Sequence, residues 1–128
     1  MSLTTDDTIE MLQLYARYNT AIDTGDSDGF ARCFVADGVF DSGMGAQTGH
    51  EAIAAFAKQT HENMPGMRHN ASNIVLDGEG DQARGSAFLI GYLVDGGFKP
   101  IVTGRYTDEL VRTPEGWRFT KRIFKADA

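Results

Sequence analysis

Asp23 and His69 are the two residues of this chain best suited to move a proton. Projected at about 100° per residue, residues 6–23 form a helix with Ile9, Leu12, Tyr15, Ala16 and Asn19 on one side. Asp23 falls near the middle of that side, about 20° from Leu12. A carboxylate turned towards a core is costly unless it is paired, hydrogen-bonded or kept wet. Of the three histidines, only His69 lies outside the His50–His61 segment, which makes it the obvious partner. An imidazole held by a carboxylate can act as a general base, one nitrogen fixed by the acid and the other free to take a proton. Two plainer roles stand beside this one. Asp23 can cap the Thr24-Gly25 turn in solvent, and His69 can serve structurally or lie free on a sheet.

The elements that must position this pair run helices first, then strands. A first amphipathic helix spans 5–23 and stops at Thr24-Gly25-Asp26. Asp26 or Ser27 caps a shorter helix through about Phe34, and Val39-Phe40 suggests a short strand. Thr48-Gly49-His50-Glu51 matches a capping box, with Ile53, Phe56 and Ala57 continuing a third helix to about Asn63. After Pro65-Gly66 the period becomes two. Residues 67–77, 81–94, 98–112 and 116–125 alternate like long strands separated by glycine-bearing turns. This is an α+β plan: three N-terminal helices packed on a curved antiparallel sheet of four long strands and a short one. Alternation puts Met67, His69, Ala71, Asn73 and Val75 on one face, so His69 and Asn73 point towards the helices, as Asp23 does towards the sheet. A bulge before residue 69 would reverse that assignment.

Composition narrows the functions. The chain of 128 residues fits one domain with one core, and its 41% hydrophobic and 23% charged residues are ordinary for a soluble globular protein. A net charge of −6 with no basic stripe argues against nucleic acid as a partner. No apolar run approaches the roughly 20 residues of a membrane span, and the acidic N-terminus lacks a secretory core, so no membrane partner is expected. The single Cys33 fits a reducing cytoplasm; sitting between Phe30 and Phe34, it reads as inert core. His50 and His61 share a helix face about 16 Å apart and cannot chelate one metal ion, and no zinc spacing exists. Neither a phosphate loop nor a nucleophile elbow is present. Tyr15, Phe56 and Trp117 read as packing residues.

Several stretches together resemble one superfamily. They are Tyr18…Ala21-Ile22-Asp23…Asp26, Phe34…Asp37-Gly38-Val39-Phe40, Gly49…Ile53…Phe56, Arg68-His69…Asn73 and Gly104-Arg105-Tyr106-Thr107-Asp108-Glu109…Gly116-Trp117-Arg118-Phe119. This order resembles the nuclear-transport-factor-2-like superfamily, and within it the SnoaL-like branch that includes scytalone dehydratase and hexachlorocyclohexane dehydrochlorinase. The resemblance implies a cone of curved sheet closed by helices, a pocket open at one end, and a homodimer through the exposed sheet, to which strand 101–112 would contribute. It also implies that His69 is the base and Asp23 its orienter in a lyase or isomerase acting without cofactor or metal. The substrate would be a small, largely apolar, oxygenated and possibly cyclic molecule bound in the cone.

Departures limit the analogy. The second histidine of the dehydratase is missing from Thr103-Gly104-Arg105-Tyr106, Ile22 replaces its tyrosine, and Tyr18 stands where the dehydrochlorinase has a lysine. Tyr18, Asn73, Tyr92 and Tyr106 remain as donors to a substrate oxygen. Arg122 could hold an anionic group, though an ion pair is the usual fate of a strand arginine. The alternative function is a non-catalytic ligand-binding or assembly module on the same fold.

Overall fold

Helix α1 (Thr5–Thr24) starts at a reciprocal cap: Thr4 Oγ1 accepts from the Asp7 N–H at 3.1 Å, and the Asp7 carboxylate accepts from the Thr4 N–H at 2.9 Å. It ends at Gly25, whose φ of 81° is the left-handed conformation that glycine adopts without a Cβ penalty. Helix α2 (Ser27–Arg32) follows at once, capped by Asp26 through the Gly29 N–H. It stops before Phe34, which opens strand β1 (Phe34–Asp41) instead of closing the helix. A three-residue strand β2 (Ala46–Thr48) leads into α3 (His50–Asn63). The expected capping box is not formed there, because Gly49 occupies the cap and makes no side-chain bond. Strands β3 (Met67–Glu79), β4 (Gln82–Leu93), β5 (Lys99–Thr113) and β6 (Gly116–Ala126) then form the meander. This computed structural model describes residues 1–128, and none of its helices is long and apolar enough to cross a membrane.

Six strands make one curved sheet in the order β2-β1-β6-β5-β4-β3. It is mixed, not wholly antiparallel: β1 runs parallel to β6, with Phe40 opposite Arg122. No turn joins those two strands, so no hairpin signal could reveal their direction. The helices cover one face. Met11, Phe30, Ile53, Trp117 and Phe119 are sealed there at 0% exposure.

The buried side of α1 differs from the wheel reading. Met11, Leu14, Tyr15, Tyr18, Ala21 and Ile22 enter the core, while Ile9 and Leu12 remain on the surface at 53% and 39% exposure. Tyr15 is buried as the wheel places it, but the buried side is turned towards Met11, Leu14, Tyr18 and Ile22, which together bury more apolar area than Ile9 and Leu12 would. Asn19 and Asp23, one turn apart, lie along the edge of that buried side, and Asp23 reaches β3.

Asp7 also ties α1 to the sheet. Its Oδ1 accepts from Arg112 Nη1 at 2.8 Å and from Trp117 Nε1 at 3.1 Å. These donors, led by Arg112, hold the Asp7 carboxyl well below the usual carboxylate range. Because folding lowers this pKa, the stabilisation is complete above the unfolded value of about 4 and is lost as pH falls below it. Asp7→Asn is expected to flatten the pH dependence of unfolding free energy below about pH 4. Denaturant titrations across that range check it; an unchanged slope contradicts it.

Candidate active site

Asp23, in the last turn of α1, clamps His69 by two bonds. Its Oδ1 accepts from His69 Nδ1 at 2.6 Å, and its Oδ2 accepts from the His69 main-chain N–H at 2.9 Å. A carboxylate satisfied by both donors fixes the ring orientation and places the proton on Nδ1. Nε2 has no partner within the chain and is not sealed from solvent. The two side chains are only 10% and 13% exposed, so the pair sits at the edge of the core with one nitrogen free. Gly91 lies opposite His69 on β4, and the space a side chain would take there is filled by Met67 and Val102.

The strand alternation holds through Met67, His69 and Ala71, then breaks. A bulge between Ser72 and Val75 puts Asn73 at φ 52° and turns Ile74 and Leu76 inward in place of Asn73 and Val75. Asn73 is therefore exposed and does not face the helices, contrary to the period-two expectation. Asparagine tolerates left-handed backbone better than most residues, which suits it to the bulge. Tyr92 is also placed differently: its hydroxyl donates to Asn70 Oδ1 at 2.8 Å. Asn70 and His69 are consecutive on β3, so Tyr92 lies on the face away from the pair.

Tyr18 and Tyr106 are inside, 2% and 3% exposed, with ring centroids 5.9 Å apart. Burial pushes both hydroxyls above the ordinary tyrosine value, that of Tyr18 well above it, so both stay protonated donors. The Asp23 charge adds a smaller push in the same direction on Tyr106. Arg122 faces the interior, but Nε donates to Asp108 Oδ1 at 2.9 Å, with both side chains fully buried. Asp108 Oδ2 accepts from the Tyr15 hydroxyl at 2.5 Å. The guanidinium packs 3.5 Å from the Tyr106 ring centre and 4.3 Å from that of Tyr18, and its two terminal nitrogens make no hydrogen bond. Arg122 is thus an ion-pair partner that also supports the tyrosine rings. Burial pushes the Asp108 carboxyl up, and Arg122 and Tyr15 oppose that rise.

Asp108 is an interior charged group that residue type alone does not single out, and Asn19 is interior as the helical wheel places it. Asp108 sits between Tyr106 and Leu110 on the inward face of β5, a charged residue in an apolar alternation, and that was a usable signal. Asn19, 8% exposed with Oδ1 unpartnered, is one turn before Asp23. The other histidines do different work: His50 Nε2 bonds the Phe34 carbonyl at 2.7 Å, and His61 packs against Gly25.

Residues 4–123 match the SnoaL-like domain model. This chain belongs to the SnoaL-like domain family. Its relatives include the uncharacterised protein Rv2910c of Mycobacterium tuberculosis, 30% identical over 122 residues, covering 91% of this chain and 83% of the relative. Among solved structures, an NTF2-like protein with a cystatin-like fold from Novosphingobium aromaticivorans is similar at TM-score 0.87 and 30% identity, covering 93% of this chain and 80% of that one. A second protein from that organism, provisionally named an aromatic ring hydroxylase, matches at TM-score 0.84 and 31% identity over 98% and 92% of the two chains. Rv3472 of Mycobacterium tuberculosis, of unknown function, matches at TM-score 0.90 and 28% identity over 95% and 72%. The SnoaL-like, NTF2-like fold is thereby established for this chain.

Proposed function

We propose that this SnoaL-like protein is a cofactor-independent lyase or isomerase in which His69 removes a proton from carbon and Asp23 orients it. Members of the family are often enzymes that work without a cofactor. The observation that carries the reading is the double clamp of Asp23 on the Nδ1 and main-chain N–H of His69. Nε2 takes a proton from a carbon beside a carbonyl, and Asp23 stabilises the imidazolium that forms. The Tyr106 hydroxyl, with Tyr18 behind it, donates to the substrate oxygen as negative charge develops. The imidazolium then returns the proton, to a departing β-hydroxyl in a lyase or to another carbon in an isomerase. The substrate is a small, largely apolar, oxygenated and possibly cyclic molecule, in keeping with the aromatic interior of Tyr18, Phe40, Phe56 and Tyr106.

Deuterium exchange tests this without knowing the natural substrate. A panel of cyclic ketones in D2O is followed by proton NMR. The wild type should accelerate α-C–H exchange of at least one member, and exchange unaffected by loss of His69 would sink the proposal.

One observation favours a binding or assembly module instead: the rings of Tyr18, Phe30, Phe34, Phe40, Tyr106 and Phe119 pack on one another throughout the interior. Binding of a panel ketone without exchange would support that reading.

We also propose a homodimer through the uncovered sheet face. Phe88, Ile90 and Ile101 are each more than 40% exposed there, and Arg105 lies over the Phe88 ring. The apolar part of this face comes more from β4 than from β5. Phe88→Glu is expected to convert a dimer to a monomer in sedimentation equilibrium, and a monomeric wild type would contradict the assignment.

A further inference from the structure

A groove of about 470 Å³ runs between α1 and α2, on a different side of α1 from Asp23. Three arginines from three elements line it: Arg17 of α1, Arg32 at the end of α2 and Arg118 of β6. Arg118 is tethered, donating to the main-chain carbonyls of Trp117 and Glu115. Arg17 and Arg32 form no ion pair and no side-chain hydrogen bond, and both are exposed. Asp26 is the only carboxylate in the lining, and its Oδ1 is engaged by the Gly29 N–H as the α2 cap. In a chain of net charge −6, three guanidinium groups around one groove with a single, partly occupied carboxylate form a local positive basin. The rest of the wall is mixed: Leu14, Ala16, Ala21 and the buried Cys33 supply its apolar part, and Gln13, Thr20 and Thr24 its neutral polar part. The arginines act on that thiol too. Arg118, Arg17 and Arg32 favour its thiolate, while the larger effect of burial pushes it up to about 11.

We propose that this groove binds a small amphiphilic oxyanion. Arg17 and Arg32 hold its carboxylate or phosphate, and its apolar body lies along the exposed Ala16 and the outer edges of Leu14 and Ala21. Each guanidinium offers a planar fork that matches two oxygens of such a group. The volume lies in the range of small-molecule sites, roughly 300–1,000 Å³. The occupant bridges α1 to α2. The site is independent of the dyad, since neither Asp23 nor His69 lines it.

Phenyl phosphate, benzoate, inorganic phosphate and phenol are titrated separately into the ¹⁵N-labelled protein, with main-chain amides followed by NMR. Phenyl phosphate or benzoate should give saturable shifts centred on Thr20, Thr24, Gly29 and Cys33. Comparing the two shows which oxyanion is preferred. Phenol should give none, and inorganic phosphate should bind several-fold more weakly than phenyl phosphate. The Arg17→Ala/Arg32→Ala variant, with both substitutions on the surface and its fold checked by the same spectrum, should bind at least tenfold more weakly. The proposal is overturned if neither aromatic anion saturates below about 10 mM. It is equally overturned if the variant binds as well as the wild type, or if phosphate alone binds as tightly as phenyl phosphate.

Discussion

His69→Ala is expected to lower catalysed α-C–H exchange by about 10²- to 10⁴-fold, the usual contribution of a positioned general base. Stability should change little by comparison. The Asp23 carboxylate keeps its bond from the main-chain N–H at residue 69, so losing the imidazole costs about 1–3 kcal/mol. Asp23→Asn is the sharper companion. The carboxylate accepts from two donors of His69, whereas an amide has a single oxygen and must turn its NH2 group on the other position. If the main-chain bond is kept, the imidazole moves its proton to Nε2 and is no longer a base. An exchange loss of about 10²-fold or more is expected, with the fold retained. Rates from NMR and thermal unfolding of both variants are the measurements. A variant that loses activity only in proportion to lost folded protein would indicate a structural pair.

Asp108→Ala is expected to have the largest effect on stability. Asp108 and Arg122 face each other directly across β5 and β6, and no other carboxylate bonds the guanidinium. Removing the acid leaves a buried cation unpaired and frees the Tyr15 hydroxyl at the same time. Breaking one side of such a pair costs about 3–5 kcal/mol, a large part of the 5–15 kcal/mol that holds a typical domain together. The aromatic rings around Arg122 soften the loss without replacing the counter-charge. Joint replacement, Asp108→Leu with Arg122→Met, should be far milder than Asp108→Ala alone, because it removes both charges from a dry site. Urea unfolding of the single and double variants separates these outcomes. A single variant within 1 kcal/mol of wild type would mean that the core relaxes to wet the guanidinium.

The pair itself was legible because few residues could form it. With three histidines, two of them on one helix, the acid at the end of α1 had a short list of partners. The meander was legible because alternation and glycine turns are local signals, and β3 to β6 began and ended within about two residues of expectation. What failed depended on events that alternation does not encode. The bulge after Ser72 carried Asn73 out to solvent, and an irregularity at Gly91 and Tyr92 accompanies the outward tyrosine. The α1 wheel places Tyr15 and Asn19 inward as found, but centring it on Ile9 and Leu12 leaves out Met11 and Tyr18, which the core buries instead. The parallel β1–β6 pairing joins residues some eighty positions apart and leaves no local trace. Arg122 was correctly given two possible roles, and only the cross-strand register with Asp108 separates them.

The proposed chemistry requires Asp23 to hold His69 with its proton on Nδ1 and its lone pair on Nε2. Long-range ¹H–¹⁵N correlation spectra of the imidazole groups report this directly and require no substrate. The neutral imidazole of His69 is predicted to be the Nδ1–H tautomer, and Asp23→Asn should shift it towards Nε2–H. A wild-type His69 whose neutral form carries the proton on Nε2 would contradict this assignment.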